Sequence, residues 1–145
     1  MAKSFVAEQR YQFTAPPARV FRALTEPRGL ESWFLSKAVV APKVRGAFSF
    51  RWSGGYHMES TIFRFEANRA IGFVWLDKLP NGALAKTRAL FVLTKKGTGT
   101  VLRLHHSGFR VPEHFAECSS RWAYYLTNLK SVLDHGTDLR SPLDW

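Results

Sequence analysis

The longest hydrophobic pattern in the chain lies between Glu113 and His135, where apolar residues recur with the period of an α-helix. At about 100° per residue they fall on one stripe roughly 120° wide. Rings dominate the first half of this stripe and aliphatic side chains dominate the second. We therefore expect a long C-terminal helix on a large apolar surface, with roomier surroundings near its start. The stripe consists of Phe115, Cys118, Trp122, Tyr125, Leu126, Leu129, Val132 and Leu133.

The middle of the chain, from Ala38 to Ser107, alternates between apolar and polar positions and is interrupted by turn residues such as Pro80-Asn81-Gly82. This pattern predicts about six strands at hairpin spacing. Side chains two apart on a strand share a face. We therefore expect three short sets to face the interior: Ile71, Phe73 and Trp75; Ala89, Phe91 and Leu93; Leu102, Leu104 and His106.

The N-terminal part predicts one strand followed by two short helices. Residues 4 to 13 have strand character, and Pro16-Pro17 suits the first turn of a helix that ends near Pro27. A second short helix or turn follows over residues 28 to 34. The predicted fold class is α+β: a curved antiparallel sheet of about seven strands that wraps the long helix, in one domain spanning residues 1 to 145.

Composition narrows the functional classes. The chain has 145 residues, of which 46% are hydrophobic and 14% aromatic, and it has no long apolar segment. We expect a soluble, cytoplasmic protein without a membrane anchor. The net charge is +10, and 18 of the 21 basic residues lie in residues 1 to 112 with only six acids. Because these basic residues are spaced singly, the pattern indicates a solvated face and does not favour nucleic-acid binding.

Residues whose side chains could take part in catalysis or metal binding are few and dispersed. His57 and Glu59 share a strand face, which suits an acid–base pair, whereas His105 and His106 point to opposite faces. The single cysteine, Cys118, lies on the helix stripe and is interpreted as a small core residue. The sequence has no nucleophile motif and no phosphate-binding loop, so we expect no catalytic set, no metal site and no cofactor.

The aromatic content suggests a cavity between the sheet and the first half of the long helix. Such a cavity would suit a small hydrophobic or aromatic ligand, with indole and phenol groups as orienting donors. Plain core packing is the alternative for each ring, and His106 is the preferred polar group. The candidate ligand-binding residues are Trp33, Trp52, Met58, Trp75, Phe91, His106, Phe109, Phe115, Trp122 and Tyr125.

Several segments, in order along the chain, resemble the activator of Hsp90 ATPase homologue 1-like family of the START-like, Bet v 1-like (SRPBCC) superfamily. The resemblance begins in residues 13 to 27 and 30 to 34 and ends in residues 122 to 136. Between them it includes Ser60-Thr-Ile-Phe-Arg-Phe-Glu66, Ile71-Gly-Phe-Val-Trp75 and Gly99-Thr-Val-Leu-Arg-Leu-His-His-Ser-Gly-Phe109. It implies a helix-grip fold, in which the sheet curls around the C-terminal helix and leaves an apolar cavity.

The chain departs from the family pattern at a few positions. Ser60 stands where members commonly have glycine, and Arg64 replaces a frequent carboxylate. A Gly-Trp pair usual in the final helix is Arg121-Trp122 here. These departures indicate a bulkier and more cationic pocket edge.

Three functions remain open from the sequence. The first is binding of a small hydrophobic or aromatic ligand. The second, implied by the resemblance, is interaction with an Hsp90-type chaperone. The third is a polyketide cyclase-like or hydrolase-like enzyme, which requires His57, Glu59 and His106 to meet in one cavity. A homodimer is a further expectation, because Tyr124 and Trp145 are rings that the core does not need.

Overall fold

The computed structural model describes residues 4 to 141. Seven strands and three helices form in the predicted order. The strands are β1 (Phe5–Phe13), β2 (Lys37–Val40), β3 (Ala47–Arg51), β4 (His57–Glu66), β5 (Ala70–Lys78), β6 (Leu84–Lys96) and β7 (Gly99–Phe109). The helices are α1 (Pro17–Thr25), α2 (Pro27–Glu31) and α3 (Pro112–His135).

All seven strands belong to one antiparallel sheet with the order β1-β7-β6-β5-β4-β3-β2. Its inner face is continuous across neighbouring strands, because Ile71 pairs with Phe91 and Phe91 pairs with Leu104. All three side chains are buried. The prediction of the inward-facing positions on β5, β6 and β7 is therefore confirmed, and His106 is fully buried on the same face.

Helix α3 lies over this inner face. It starts with a proline in its first turn and ends at His135, and the following Gly136 has a φ of 69°, the left-handed conformation that glycine adopts without strain. Trp122, Leu126 and Leu129 are at most 2% exposed, whereas Val132 and Leu133 at the far end are only half-buried. The C-terminal end of the helix is thus less enclosed than its apolar stripe predicts.

Aromatic rings fill most of the space between α3 and the sheet. Phe34, just after α2, lies at their centre and is 3% exposed. Its ring is within 6.4 Å of six other ring centroids, those of Trp33, Phe50, Trp52, Trp75, Trp122 and Tyr125. Such contacts contribute beyond the area they bury. The interior is therefore packed with rings over most of its length.

The architecture confirms the predicted α+β helix-grip fold, with two short helices between the first two strands. Helix α2 ends at Glu31, three residues before the end of the predicted second helical segment. Within residues 4 to 141, no helix is both long and apolar enough to cross a membrane.

Candidate functional site

The candidate functional site is organised around Asp77, a buried carboxylate near the end of β5. Side chains on β5 alternate between faces, so Asp77 continues the inward series of Ile71, Phe73 and Trp75. It is 7% exposed. A carboxylate at such a depth requires hydrogen-bond donors to offset its lost hydration.

Three donors converge on one oxygen of this carboxylate. Asp77 Oδ2 accepts hydrogen bonds from Trp75 Nε1 at 2.8 Å, His114 Nε2 at 2.7 Å and the Cys118 thiol at 3.3 Å. His114 and Cys118 are four residues apart on α3, so both side chains leave the same helix face. The cluster therefore connects the first two turns of α3 to the end of β5.

The other oxygen of Asp77 retains acceptor capacity. Its contact is the Tyr56 hydroxyl, which donates to Oδ1 from 3.5 Å, the long limit for a hydrogen bond. An ionised carboxylate accepts about four hydrogen bonds through its two oxygens. Oδ1 is consequently the atom of the cluster best able to accept a hydrogen bond from a further group.

Asp77 stands at the boundary of two cavities. The inner cavity, of about 30 Å³, lies under the aromatic half of α3. The outer cleft, of about 540 Å³, lies between the start of α3 and the β5–β6 loop, where Lys78, Asn81 and Glu117 are exposed. Three residues line both spaces: Tyr56, Asp77 and Arg121.

The two cavities differ in what they can hold. One water needs roughly 10 to 15 Å³ of such volume, so the inner cavity accommodates about two waters or a small substituent and no aromatic ring. The outer cleft falls within the range of about 300 to 1,000 Å³ typical of small-molecule sites. A ring-sized ligand therefore fits the cleft and not the interior.

Four of the ten ligand-binding residues predicted from the sequence line the inner cavity: Trp52, Trp75, Trp122 and Tyr125. Arg121 lines both spaces, with its Nη2 3.8 Å from Glu117 Oε2, but the carboxylates around it leave the edge of the cleft without the excess positive charge that the sequence suggests. Phe34 belongs to the same lining, although it is not among the residues predicted from the sequence.

The other six predicted residues lie away from both cavities. Trp33 donates its indole N–H to Ala23 O at 2.8 Å, and Met58 Sδ accepts from the backbone N–H of Leu76 at 3.2 Å. Phe115 packs at the edge of a small second core. These six residues contribute to packing: Trp33, Met58, Phe91, His106, Phe109 and Phe115.

His106, the preferred polar candidate, is buried behind Trp122 and has partners on both ring nitrogens. Nδ1 accepts from Trp122 Nε1 at 2.9 Å, and Nε2 lies 2.7 Å from Thr87 Oγ1. These contacts fit a neutral imidazole that carries its proton on Nε2. Burial lowers the pKa of His106 to about 3, although the negative charge of Asp77 opposes the shift. His106 therefore acts as a neutral connector inside the core.

The acid–base set required by the enzyme hypothesis does not form. His57 and Glu59 are exposed on β4, and Glu59 accepts a hydrogen bond from Ser49 at 2.9 Å. His106 is fully buried on the inner face of β7. Because His57 and Glu59 open to solvent while His106 is enclosed, these three residues do not share a cavity.

The centre of the site is not among the residues predicted from the sequence. Asp77 and His114 are absent from the predicted ligand-binding residues, and Cys118 is predicted only as a core residue. The signals were the period of two that places Asp77 inward and the spacing of four that puts His114 and Cys118 on one face. Burial, followed by the charge of Asp77, raises the pKa of the Cys118 thiol. The three side chains place one nitrogen, one sulfur and one oxygen within 4.8 Å of one another.

Comparison with protein families supports the resemblance seen in the sequence. Residues 14 to 134 match the family described as activator of Hsp90 ATPase homolog 1-like protein. The search of curated proteins found no match.

Solved structures share the fold. Protein MLL2253 from Mesorhizobium loti is 28% identical, with a TM-score of 0.78 over 94% of this chain and 100% of its own. The Aha1 dimer from Colwellia psychrerythraea is 25% identical, with a TM-score of 0.78 over 92% and 98%. Protein SSP2350 from Staphylococcus saprophyticus is 21% identical, with a TM-score of 0.80 over 94% and 97%. Chaperone binding and homodimer formation stay predictions for this chain, and Trp145, one of the two rings on which the homodimer expectation rests, lies outside the described residues.

Proposed function

The chain belongs to the activator of Hsp90 ATPase homolog 1-like family, and we propose that it is a small-molecule binding protein. Its fold family often binds ligands. The ligand is a flat aromatic molecule that lies in the outer cleft and carries a hydroxyl or amino group. That group reaches the inner cavity and donates to Asp77 Oδ1.

The observation that carries this proposal is the position of Asp77 between the two cavities. One of its oxygens accepts three hydrogen bonds, whereas the other is contacted by the Tyr56 hydroxyl at the long limit of 3.5 Å. A ligand donor at Oδ1 would make a charge-assisted hydrogen bond in a setting with little water, where such bonds are strong.

The walls of the cleft suit a flat ring. Leu79, Pro80 and Val111 supply apolar surface, and Tyr56 supplies an aromatic ring. Tyr56 is 44% exposed, so a stacked ligand would remove apolar area from water. A bicyclic aromatic molecule matches this surface better than a long flexible chain does.

The charges of the cleft select against an anionic ligand head. Asp77, Glu113 and Glu117 contribute three carboxylates, and Lys78 and Arg121 contribute two cations. A second carboxylate next to Asp77 would meet a like charge at short range. A neutral hydroxyl or a cationic amine avoids this repulsion and supplies the donor that Oδ1 can accept.

The experiment compares 2-naphthol with 2-methoxynaphthalene, which has the same ring system without the donor. Isothermal titration calorimetry gives both dissociation constants. We expect 2-naphthol to bind at least about tenfold more tightly, because a hydrogen bond to a charged group contributes about 1.5 to 3 kcal/mol. Equal affinity of the two compounds would contradict the role of Asp77, and no binding of either would contradict the aromatic ligand.

A matched pair of variants locates the binding site. Val111→Trp fills the cleft, whereas Val39→Trp adds the same bulk on the exposed face of β2. Val111 has extended backbone angles that tryptophan adopts readily. We expect Val111→Trp to lose 2-naphthol binding and Val39→Trp to retain it. Retained binding in Val111→Trp, with a fold verified by circular dichroism, would exclude the cleft.

A further inference from the structure

The side chains of Asp77, His114 and Cys118 present a carboxylate oxygen, an imidazole nitrogen and a sulfur to one small volume. The residues are 7%, 7% and 2% exposed, and these atoms lie within 4.8 Å of one another. We propose that they form a binding site for a thiophilic divalent cation, for which Zn²⁺ is the best match.

The spacing of the donor atoms is close to that of a zinc site. Ligand atoms at about 2.0 to 2.3 Å from a tetrahedral zinc ion lie about 3.3 to 3.8 Å from each other. Here the nitrogen and the sulfur lie 2.7 Å and 3.3 Å from Asp77 Oδ2, because shared hydrogens hold them together. A cation replaces those hydrogens after displacements of less than about 1 Å, which is within rotamer adjustment.

The chemical types of the ligands select among metals. Mg²⁺ and Ca²⁺ prefer sets made only of oxygen, whereas a thiolate with an imidazole and one carboxylate suits Zn²⁺ or Co²⁺. Three protein ligands leave one tetrahedral position for water or a ligand, as in catalytic zinc sites. Asp77 and His114 line the outer cleft, and Cys118 lines the inner cavity, so both spaces border the cluster.

Two neighbouring side chains hold the Asp77 carboxylate in place. Trp75 Nε1 donates to Asp77 at 2.8 Å, and the Tyr56 hydroxyl lies 3.5 Å from its second oxygen. Donors to a ligating carboxylate orient it, and their loss typically costs about 10-fold to 100-fold in metal affinity. Trp75 is itself packed between aromatic rings, so this donor is rigidly placed.

The proton balance of binding follows from these contacts. The Cys118 thiol proton is released to solvent when sulfur coordinates the cation. Because His114 Nε2 donates to Asp77 without metal, that proton must leave Nε2 before the nitrogen coordinates. It moves to Nδ1 in the neutral ring. Carboxylate coordination needs no proton transfer, so binding releases one proton from a neutral imidazole and a thiol.

The cation site does not depend on the organic ligand proposed above, because the metal is tested alone. Co²⁺ is added to untagged, chelator-treated protein and followed by absorption spectroscopy. We expect one Co²⁺ per chain, a thiolate-to-cobalt charge-transfer band in the near ultraviolet and visible bands typical of tetrahedral Co²⁺. Addition of Zn²⁺ should bleach these bands. Failure of 2-naphthol to bind would leave this result unchanged.

Substitutions assign the bands to the cluster. Cys118→Ser should abolish the charge-transfer band, and His114→Gln should weaken Co²⁺ binding by more than about 100-fold, since a direct ligand contributes more than its supporting donors. His57→Gln removes an exposed histidine on β4 and should bind Co²⁺ as the wild type does. Circular dichroism verifies the fold of each variant. Absence of a thiolate band in the wild type, or equal Co²⁺ affinity in folded His114→Gln, would overturn the proposal.

Discussion

The indole N–H of Trp122 donates to Nδ1 of His106 at 2.9 Å, and this hydrogen bond connects the middle of α3 to the inner face of β7. Trp122 is 2% exposed and His106 is fully buried. Thr87 on β6 lies against the other ring nitrogen of His106 and also donates to Trp75 O at 3.3 Å. A chain of hydrogen bonds thus joins the helix to three neighbouring strands beneath the inner cavity.

Removal of the indole donor should destabilise the protein. Trp122→Phe leaves His106 Nδ1 buried without a donor, which costs about 1 to 3 kcal/mol. The smaller ring also loses packing contacts, and this loss adds to the cost. The change in free energy of unfolding is measured by urea denaturation. In a His106→Leu background the same substitution should cost less, because the background contains no Nδ1 acceptor. Equal costs in the two backgrounds would show that the hydrogen bond contributes nothing.

Acid should destabilise the protein through His106. Its folded-state pKa is lowered from 6.5 to about 3 by burial, so between these values the unfolded chain binds more protons than the folded one. Stability therefore falls as the pH is lowered through this window, with a slope of up to about 1.4 kcal/mol per pH unit from this group. Above pH 6.5 the contribution of His106 is constant.

The measurement is urea denaturation of wild type and His106→Leu at several values between pH 7 and pH 4. The leucine variant lacks this titration, so its free energy of unfolding should decline less steeply. The difference between the two slopes separates the contribution of His106 from those of the carboxylates and the other histidines. Parallel curves would contradict a neutral, buried imidazole.

The hydrophobic periodicity predicted the strands and the helix that surround the site, but not the Asp77 cluster at its centre. The alternation on β5 placed Trp75 correctly on the inner face, and the same alternation applies to Asp77. The pattern alone does not predict an inward Asp77, because a carboxylate seldom continues an apolar series. The partner of Asp77, His114, is 37 residues away, and its proximity follows from how α3 crosses the sheet. Local spacing cannot supply that long-range geometry.

The sequence also does not predict how much free space the interior contains. The aromatic count suggested a space for a ring, yet Phe34 fills the region between Trp52, Trp75 and Trp122. Whether rings enclose a space or fill it depends on their tilts and on packing to crystal-like density. Neither the tilts of the rings nor the packing density can be derived from the amino-acid composition.

Asn128 is a buried polar residue that the apolar stripe of α3 omitted. Its Nδ2 donates to Trp33 O at 2.9 Å, and its Oδ1 accepts from the backbone N–H of Leu139 at 2.6 Å. Asn128→Ala should lower the free energy of unfolding by about 2 to 4 kcal/mol, because these groups lose their partner. Thermal and urea denaturation measure this loss.

The control for this prediction is Ser120→Ala, an exposed position on the same helix. It should change stability by less than about 0.5 kcal/mol. Limited proteolysis adds a local readout, since residues 137 to 141 are held in part through Asn128 and should become easier to cleave in Asn128→Ala. Similar stability of the two variants would contradict the anchoring role of Asn128.

The Cys118 thiol should be protected in the metal-free native protein. It is 2% exposed and donates to Asp77, and burial raises its pKa, so access and thiolate fraction are both low. Ellman's reagent should modify Cys118 much more slowly in native than in urea-unfolded protein. Glu117→Cys combined with Cys118→Ser places one thiol at the neighbouring exposed position, where modification should be fast. Fast modification of native Cys118 would contradict the buried cluster.

Binding of a flat aromatic molecule with a donor group should take place in the cleft beside Asp77. The most direct measurement is a titration of ¹⁵N-labelled protein with 2-naphthol, followed by amide shifts in two-dimensional NMR spectra. We expect the largest shifts in residues 77 to 81 and 111 to 121, with little change in β2. Shifts concentrated on the exposed face of the sheet, or no saturable shifts at all, would contradict it.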